Sequence, residues 1–129
     1  MFRTLKVFGR LALASGAVAL LATAAQASGD AKAGAGVYQR CAVCHSNAKD
    51  APNKIGPNLF GVVGRKAGSY AGYNYSPAMK NSGITWTEEK LEAYIEHPQQ
   101  VVAGNKMPFG GISDHKQTED LAAYLASLK

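Results

Sequence analysis

From Ser46 to Ser76 the chain is rich in Gly, Pro and Asn, and no helical or strand periodicity persists through it. A loop region of that length is out of place in a small domain, so something other than secondary structure must organise it. The rest of the chain is ordinary in make-up. It has 129 residues, 47% of them apolar and 18% charged, which excludes disorder and a fibrous repeat.

The N-terminus reads as a targeting segment rather than as structure. Arg3, Lys6 and Arg10 precede a run from Leu11 to Ala25 that is apolar except for Ser15, Gly16 and Thr23. The run has 15 residues. A bilayer needs roughly 20. It closes on Ala25-Gln26-Ala27, an A-x-A cleavage pattern. The expected organisation is a signal peptide over 1–27 and one domain over 28–129, with the periplasm as destination. No stable membrane insertion is expected after cleavage; an uncleaved anchor or a buried core helix is the competing reading. Taking three basic residues from fourteen leaves eleven against nine acidic ones, so a net charge of +5 becomes +2. The remaining basic residues are scattered, with only Arg65-Lys66 adjacent, which is not a nucleic-acid footprint.

Three helices are legible in the 28–129 segment. Asp30 is placed to cap a first helix of about ten residues, with Gly34, Val37, Tyr38 and Cys41 on one face. Thr87 can cap a second, whose inner face is Leu91, Tyr94 and Ile95 and which ends before His97-Pro98. Ser113 can cap a third carrying the stripe Leu121, Tyr124, Leu125 and Leu128. No stretch alternates cleanly enough for a strand. The expected class is all-α, with short helices wrapped by loops.

The chemistry lies in Cys41-Ala42-Val43-Cys44-His45, which fits the C-x-x-C-H haem-attachment pattern. Two thiols one helical turn apart can add to the two vinyl groups as thioethers, and the next residue can offer a ring nitrogen to iron. A zinc site would need more ligands than His97 and His115, which lie 18 residues apart, can supply. A redox dithiol would want a βαβ setting. A disulfide would have to close a very small loop. The candidates for a sixth ligand are Met79, Met107, His97 and His115. Met107 sits in Gly104-Asn105-Lys106-Met107-Pro108-Phe109, an inter-helix loop, and its soft thioether suits low-spin iron. Met79, in a short helical turn, reads as packing, and the two histidines as solvated surface residues.

Taken together these stretches resemble class I cytochrome c, of the mitochondrial and bacterial c2-type group. The residues that carry the resemblance are Gly29-Asp30, CAVCH, Gly56-Pro57-Asn58-Leu59, Gly64-Arg65-Lys66, Gly83-Ile84-Thr85-Trp86, Lys106-Met107-Pro108-Phe109 and Asp120 to Leu125, in matching order and spacing. The resemblance implies a small cytochrome c fold, three to five short helices and loops around one covalently bound haem c. It implies Cys41 and Cys44 as thioether cysteines, His45 as proximal ligand and Met107 as distal ligand. Pro57 resembles the proline whose carbonyl accepts the His45 ring N–H. Tyr75 and Trp86 resemble the donors to the haem propionates, Arg65 the cation beside them, and Tyr94 the tyrosine whose hydroxyl reaches the methionine sulfur. Simple core packing is the competing role for each aromatic.

The chain departs from that pattern in places. Met79 stands where the family often has an asparagine, and Asn105 where mitochondrial proteins carry a threonine. The lysine ring of the family is thin: Arg40, Lys54 and Lys106 occupy such positions, while Gln99, Gln100, Ser113 and Asp114 replace lysines. The expected function is that of a monomeric, soluble periplasmic electron carrier, not an enzyme. Its partners would be redox complexes: a quinol–cytochrome c oxidoreductase, an oxidase, a reaction centre or a periplasmic dehydrogenase. The alternative is a haem enzyme or gas sensor with an open distal site, peroxidase-like.

Overall fold

The structure, a computed structural model, describes residues 29–129. The targeting segment expected over 1–27 lies outside the described residues. Asp30 opens the first helix as expected, its carboxylate accepting the N–H groups of Lys32 and Ala33. That helix is divided at Tyr38 into α1 (Ala31–Val37) and α2 (Gln39–Ala42). The Tyr38 carbonyl accepts from both Cys41 and Ala42, at 2.7 and 3.0 Å, so the chain tightens there before entering the CAVCH turn. The other elements are α3 (Pro77–Lys80), α4 (Glu88–Glu96), α5 (Pro98–Val101) and α6 (His115–Ser127). The class is all-α. The segments number six among the described residues because α2, α3 and α5 are single turns too short to show periodicity.

Thr87 caps α4 as expected, accepting from the Lys90 N–H. The cap of α6 is Asp114, not Ser113: its carboxylate accepts from the Gln117 N–H at 3.2 Å. An acidic cap also faces the positive end of the helix dipole, which serine cannot exploit.

The frame is α1 laid across α6, with α4 against the same helix. Gly34 makes the first crossing possible, since a Cβ there would lie 1.9 Å from the Asp120 carbonyl oxygen. Tyr38 and Tyr124 meet beside it with ring centroids 5.3 Å apart. Asp120 ties the two helices together, accepting the Asp30 N–H at 2.8 Å and pairing with Lys116. Leu121 and Leu125 of α6 and Leu91 and Ile95 of α4 are buried between them, while Tyr124 and Leu128 sit at the core's edge.

The long loop is organised from within by a side chain. Asn58 is fully buried; its amide donates to the Ala48 and Ala51 carbonyls at 2.8 and 3.0 Å and its oxygen accepts the Phe60 N–H. Backbone groups that no helix or sheet satisfies are paired this way. One isolated antiparallel bridge, Lys66 to Thr85, draws the end of the loop to the Trp86 segment.

Candidate haem site

The CAVCH turn presents its side chains into a cavity of about 570 Å³ between the helical frame and the long loop. Cys41 and Cys44 are free thiols on its wall. Burial pushes the Cys41 thiol up to about 11, so little thiolate exists at neutral pH. His45 follows, its Nδ1 2.7 Å from the Pro57 carbonyl. That bond makes Nδ1 the donor and leaves Nε2 with the lone pair. Burial holds the imidazole below its ordinary value against that hydrogen bond, with Arg65 and Lys54 adding to the effect. The ring is therefore neutral near pH 7, as a metal-ligating histidine must be. Gly56 sets its position, for a Cβ at that residue would lie 2.3 Å from the ring's Cε1. The Tyr38 hydroxyl donates to the His45 carbonyl at 2.7 Å and fixes the backbone behind it.

Pro57, Arg65, Tyr75, Trp86, Tyr94 and Met107 all line the same cavity as the cysteines and His45. They come from the long loop, the Trp86 segment, α4 and the loop after α5. Arg65 is half-buried, donates to the Asn58 carbonyl at 3.0 Å and lies 4.7 Å from the Tyr70 ring centroid. It makes no ion pair with a carboxylate among the described residues. A cation on a largely apolar wall without an acidic partner suits an anionic ligand. Burial pushes the Tyr94 hydroxyl up to about 12 and raises that of Tyr75, so both stay protonated as donors. Met79 also reaches the cavity, so the structure brings two thioethers to it. His97 and His115 are exposed and lie outside the lining, as expected for surface histidines.

A family model for "Cytochrome c" matches residues 31–129. The chain belongs to the cytochrome c family. A cytochrome c from Gibberella zeae is 49% identical over 77% of this chain and 94% of its own. A cytochrome c2 from Blastochloris viridis is 44% identical over 92% and 89%. Among solved structures, cytochrome cH from Methylobacterium extorquens superposes with a TM-score of 0.72 at 44% identity, covering 76% of this chain and 98% of its own. As in that family, the cofactor of this cytochrome c is one covalently attached haem c, and the protein is a single-haem electron carrier. The residues fit the group: paired thiols, a neutral histidine with one nitrogen tied back, apolar walls and a guanidinium with no carboxylate partner among the described residues.

Sequence reasoning gave Tyr73 no role. Its hydroxyl donates to the Ile55 carbonyl at 2.9 Å, its ring packs edge-on against Tyr75 at 4.7 Å, and the Lys106 ammonium sits 4.9 Å from its centroid. It thus joins two stretches of the long loop to the loop after α5 at the cavity's mouth. Its place two residues before Tyr75 was the available signal, since alternate residues of an extended segment share a face.

Proposed function

We propose that this cytochrome c is a soluble periplasmic carrier that passes single electrons between respiratory or photosynthetic redox complexes. Haem iron supplies the chemistry, exchanging one electron between its ferric and ferrous states. The observation that carries the proposal is the convergence of His45, Met107 and the two thiols on one cavity from segments far apart in sequence. In this reading His45 and Met107 would ligate the haem iron and Cys41 and Cys44 would form the thioethers. Pro57 would orient His45; Arg65, Tyr75 and Trp86 would hold the propionates; Tyr94 would donate toward the Met107 sulfur. With the iron ligated by the protein on both sides there would be no open place for substrate, and the reading is that of a carrier rather than an enzyme.

Export is supported by the charge pattern, run length and Ala25-Gln26-Ala27 exit of the first 27 residues. Among the described residues no helix is long and apolar enough to cross a membrane. Partner contact is supported by the surface beside the cavity, where Val43 and Ile55 are 72% and 68% exposed next to Arg40, Lys54 and Lys106. An apolar patch rimmed by cations suits brief docking on an acidic partner. The test is stopped-flow oxidation and reduction of the holoprotein against quinol–cytochrome c oxidoreductase, terminal oxidase, reaction centre and periplasmic dehydrogenase preparations. Fast salt-dependent exchange with at least one donor and one acceptor is expected. No exchange with any of them, together with peroxide turnover by the haem, would establish the peroxidase-like alternative.

A further inference from the structure

The loop that carries Met107 has one buried polar side chain, and its carboxamide ties that loop to α5. Asn105 is 7% exposed. Its Nδ2 donates to the carbonyls of Pro98 and Val102, both at 3.0 Å, and its Oδ1 accepts the N–H of Met107 at 2.9 Å. Two donors face one way and an acceptor the other, so the orientation of the amide is fixed by its partners. From outside, the Gln99 amide donates to the Asn105 carbonyl at 3.0 Å and its oxygen accepts the Gly104 N–H at 3.2 Å. Both clamps begin in α5 or at its end, and both close on the residues just before Met107.

We infer that Asn105 is a positioning residue for Met107: its carboxamide fixes the backbone from which the distal thioether projects, and Gln99 reinforces it. This rests on the reading of Met107 as the distal ligand. A thioether is a soft neutral donor, and an external ligand binds iron in proportion to the fraction of molecules with that position open. Aspartate has the shape of asparagine but no donors, and its oxygen would face two carbonyls at 3.0 Å. Alanine leaves the Met107 N–H without its acceptor, while the Pro98 and Val102 carbonyls keep only the backbone N–H groups of Val102 and Asn105.

The test is optical titration of the ferric holoprotein with imidazole, read at the sulfur-to-iron charge-transfer band. Asn105→Ala and Asn105→Asp should bind imidazole at least about tenfold more tightly and weaken the band, with Gln99→Ala moving less in the same direction. Thr118→Val removes a buried hydroxyl from Glu96. It should lower the denaturation midpoint while leaving imidazole affinity unchanged, which separates positioning from general loss of stability. In a Met107→Ala background, Asn105→Ala should add nothing. Unchanged affinity in Asn105→Asp, or an equal increase with Met107 already removed, would overturn the inference. If Met107→Ala alone kept the band, the ligand reading itself would fall and the inference with it. Should Asn105→Ala not fold, Asn105→Asp and Gln99→Ala carry the same comparison.

Discussion

Gly56 and Asn58 stand two residues apart in one motif, yet they act in opposite ways. Gly56 matters for what it lacks: the His45 ring occupies the space a Cβ would fill, at 2.3 Å. Gly56→Ala must push either the ring or the Pro57 carbonyl out of place. We expect it to destabilise the holoprotein by on the order of 1–3 kcal/mol, read by denaturant titration. A variant as stable as the parent would contradict the close packing described. Asn58 matters for what it supplies, pairing the backbone of a segment that has no helix or sheet of its own. Cys41, Cys44, His45 and Met107, which the structure brings to one cavity, stood out in sequence because the CAVCH motif is local and such residue types are few. The roles of Asn58 and Asn105 did not, since an asparagine's partners are set by tertiary folding and leave no spacing to read.

At the scale of elements, α4 was legible from its apolar stripe and its Thr87 cap and α6 from its stripe, with the cap one residue later than expected. The contact between their ends was not legible. His115 at the start of α6 places Nδ1 2.5 Å from a Glu96 oxygen at the end of α4, and the buried Thr118 hydroxyl donates to the same oxygen at 2.7 Å. The bond to Glu96 raises His115 above its ordinary 6.5, with Glu119 and Glu92 adding to the effect. Glu96 is lowered from 4.5 by the same bond and by Thr118, helped by the charges of His115 and His97. A histidine with a raised folded value stabilises fully below its unfolded value, and that contribution fades as pH rises through the folded one. A carboxylate with a lowered value contributes above its unfolded value and loses this as pH falls through the folded one. The pair is therefore worth most between 4.5 and 6.5. His115→Gln should lower the denaturation midpoint most at pH 5.5–6 and least near pH 9. A penalty that stayed constant from pH 6 to 9 would show that the ion pair contributes nothing.

For the whole molecule, the cavity wall and the hydrophobic core share residues. Trp86, Leu91, Ile95, Leu121 and Leu125 belong to both. Haem bound there would complete the core, adding to what Asn58 does for the irregular loop. Roughly a hundred residues bury only a modest share of their surface, and a group bound by the native state alone adds its binding free energy to folding. Cys41→Ala combined with Cys44→Ala should give a largely unfolded apoprotein. Native-like helical dichroism with a cooperative thermal transition in that variant would remove haem from its organising role.

In the proposed reading a single haem is held between His45 and Met107 and exchanges one electron. Spectroelectrochemical titration of the holoprotein, followed at the sulfur-to-iron band, tests it most directly. We predict one reversible single-electron wave, a band present in the oxidised form and lost on reduction, and a lower potential without the band in Met107→Ala. A parent protein with no such band, or a Met107→Ala variant that keeps both band and potential, would contradict the account.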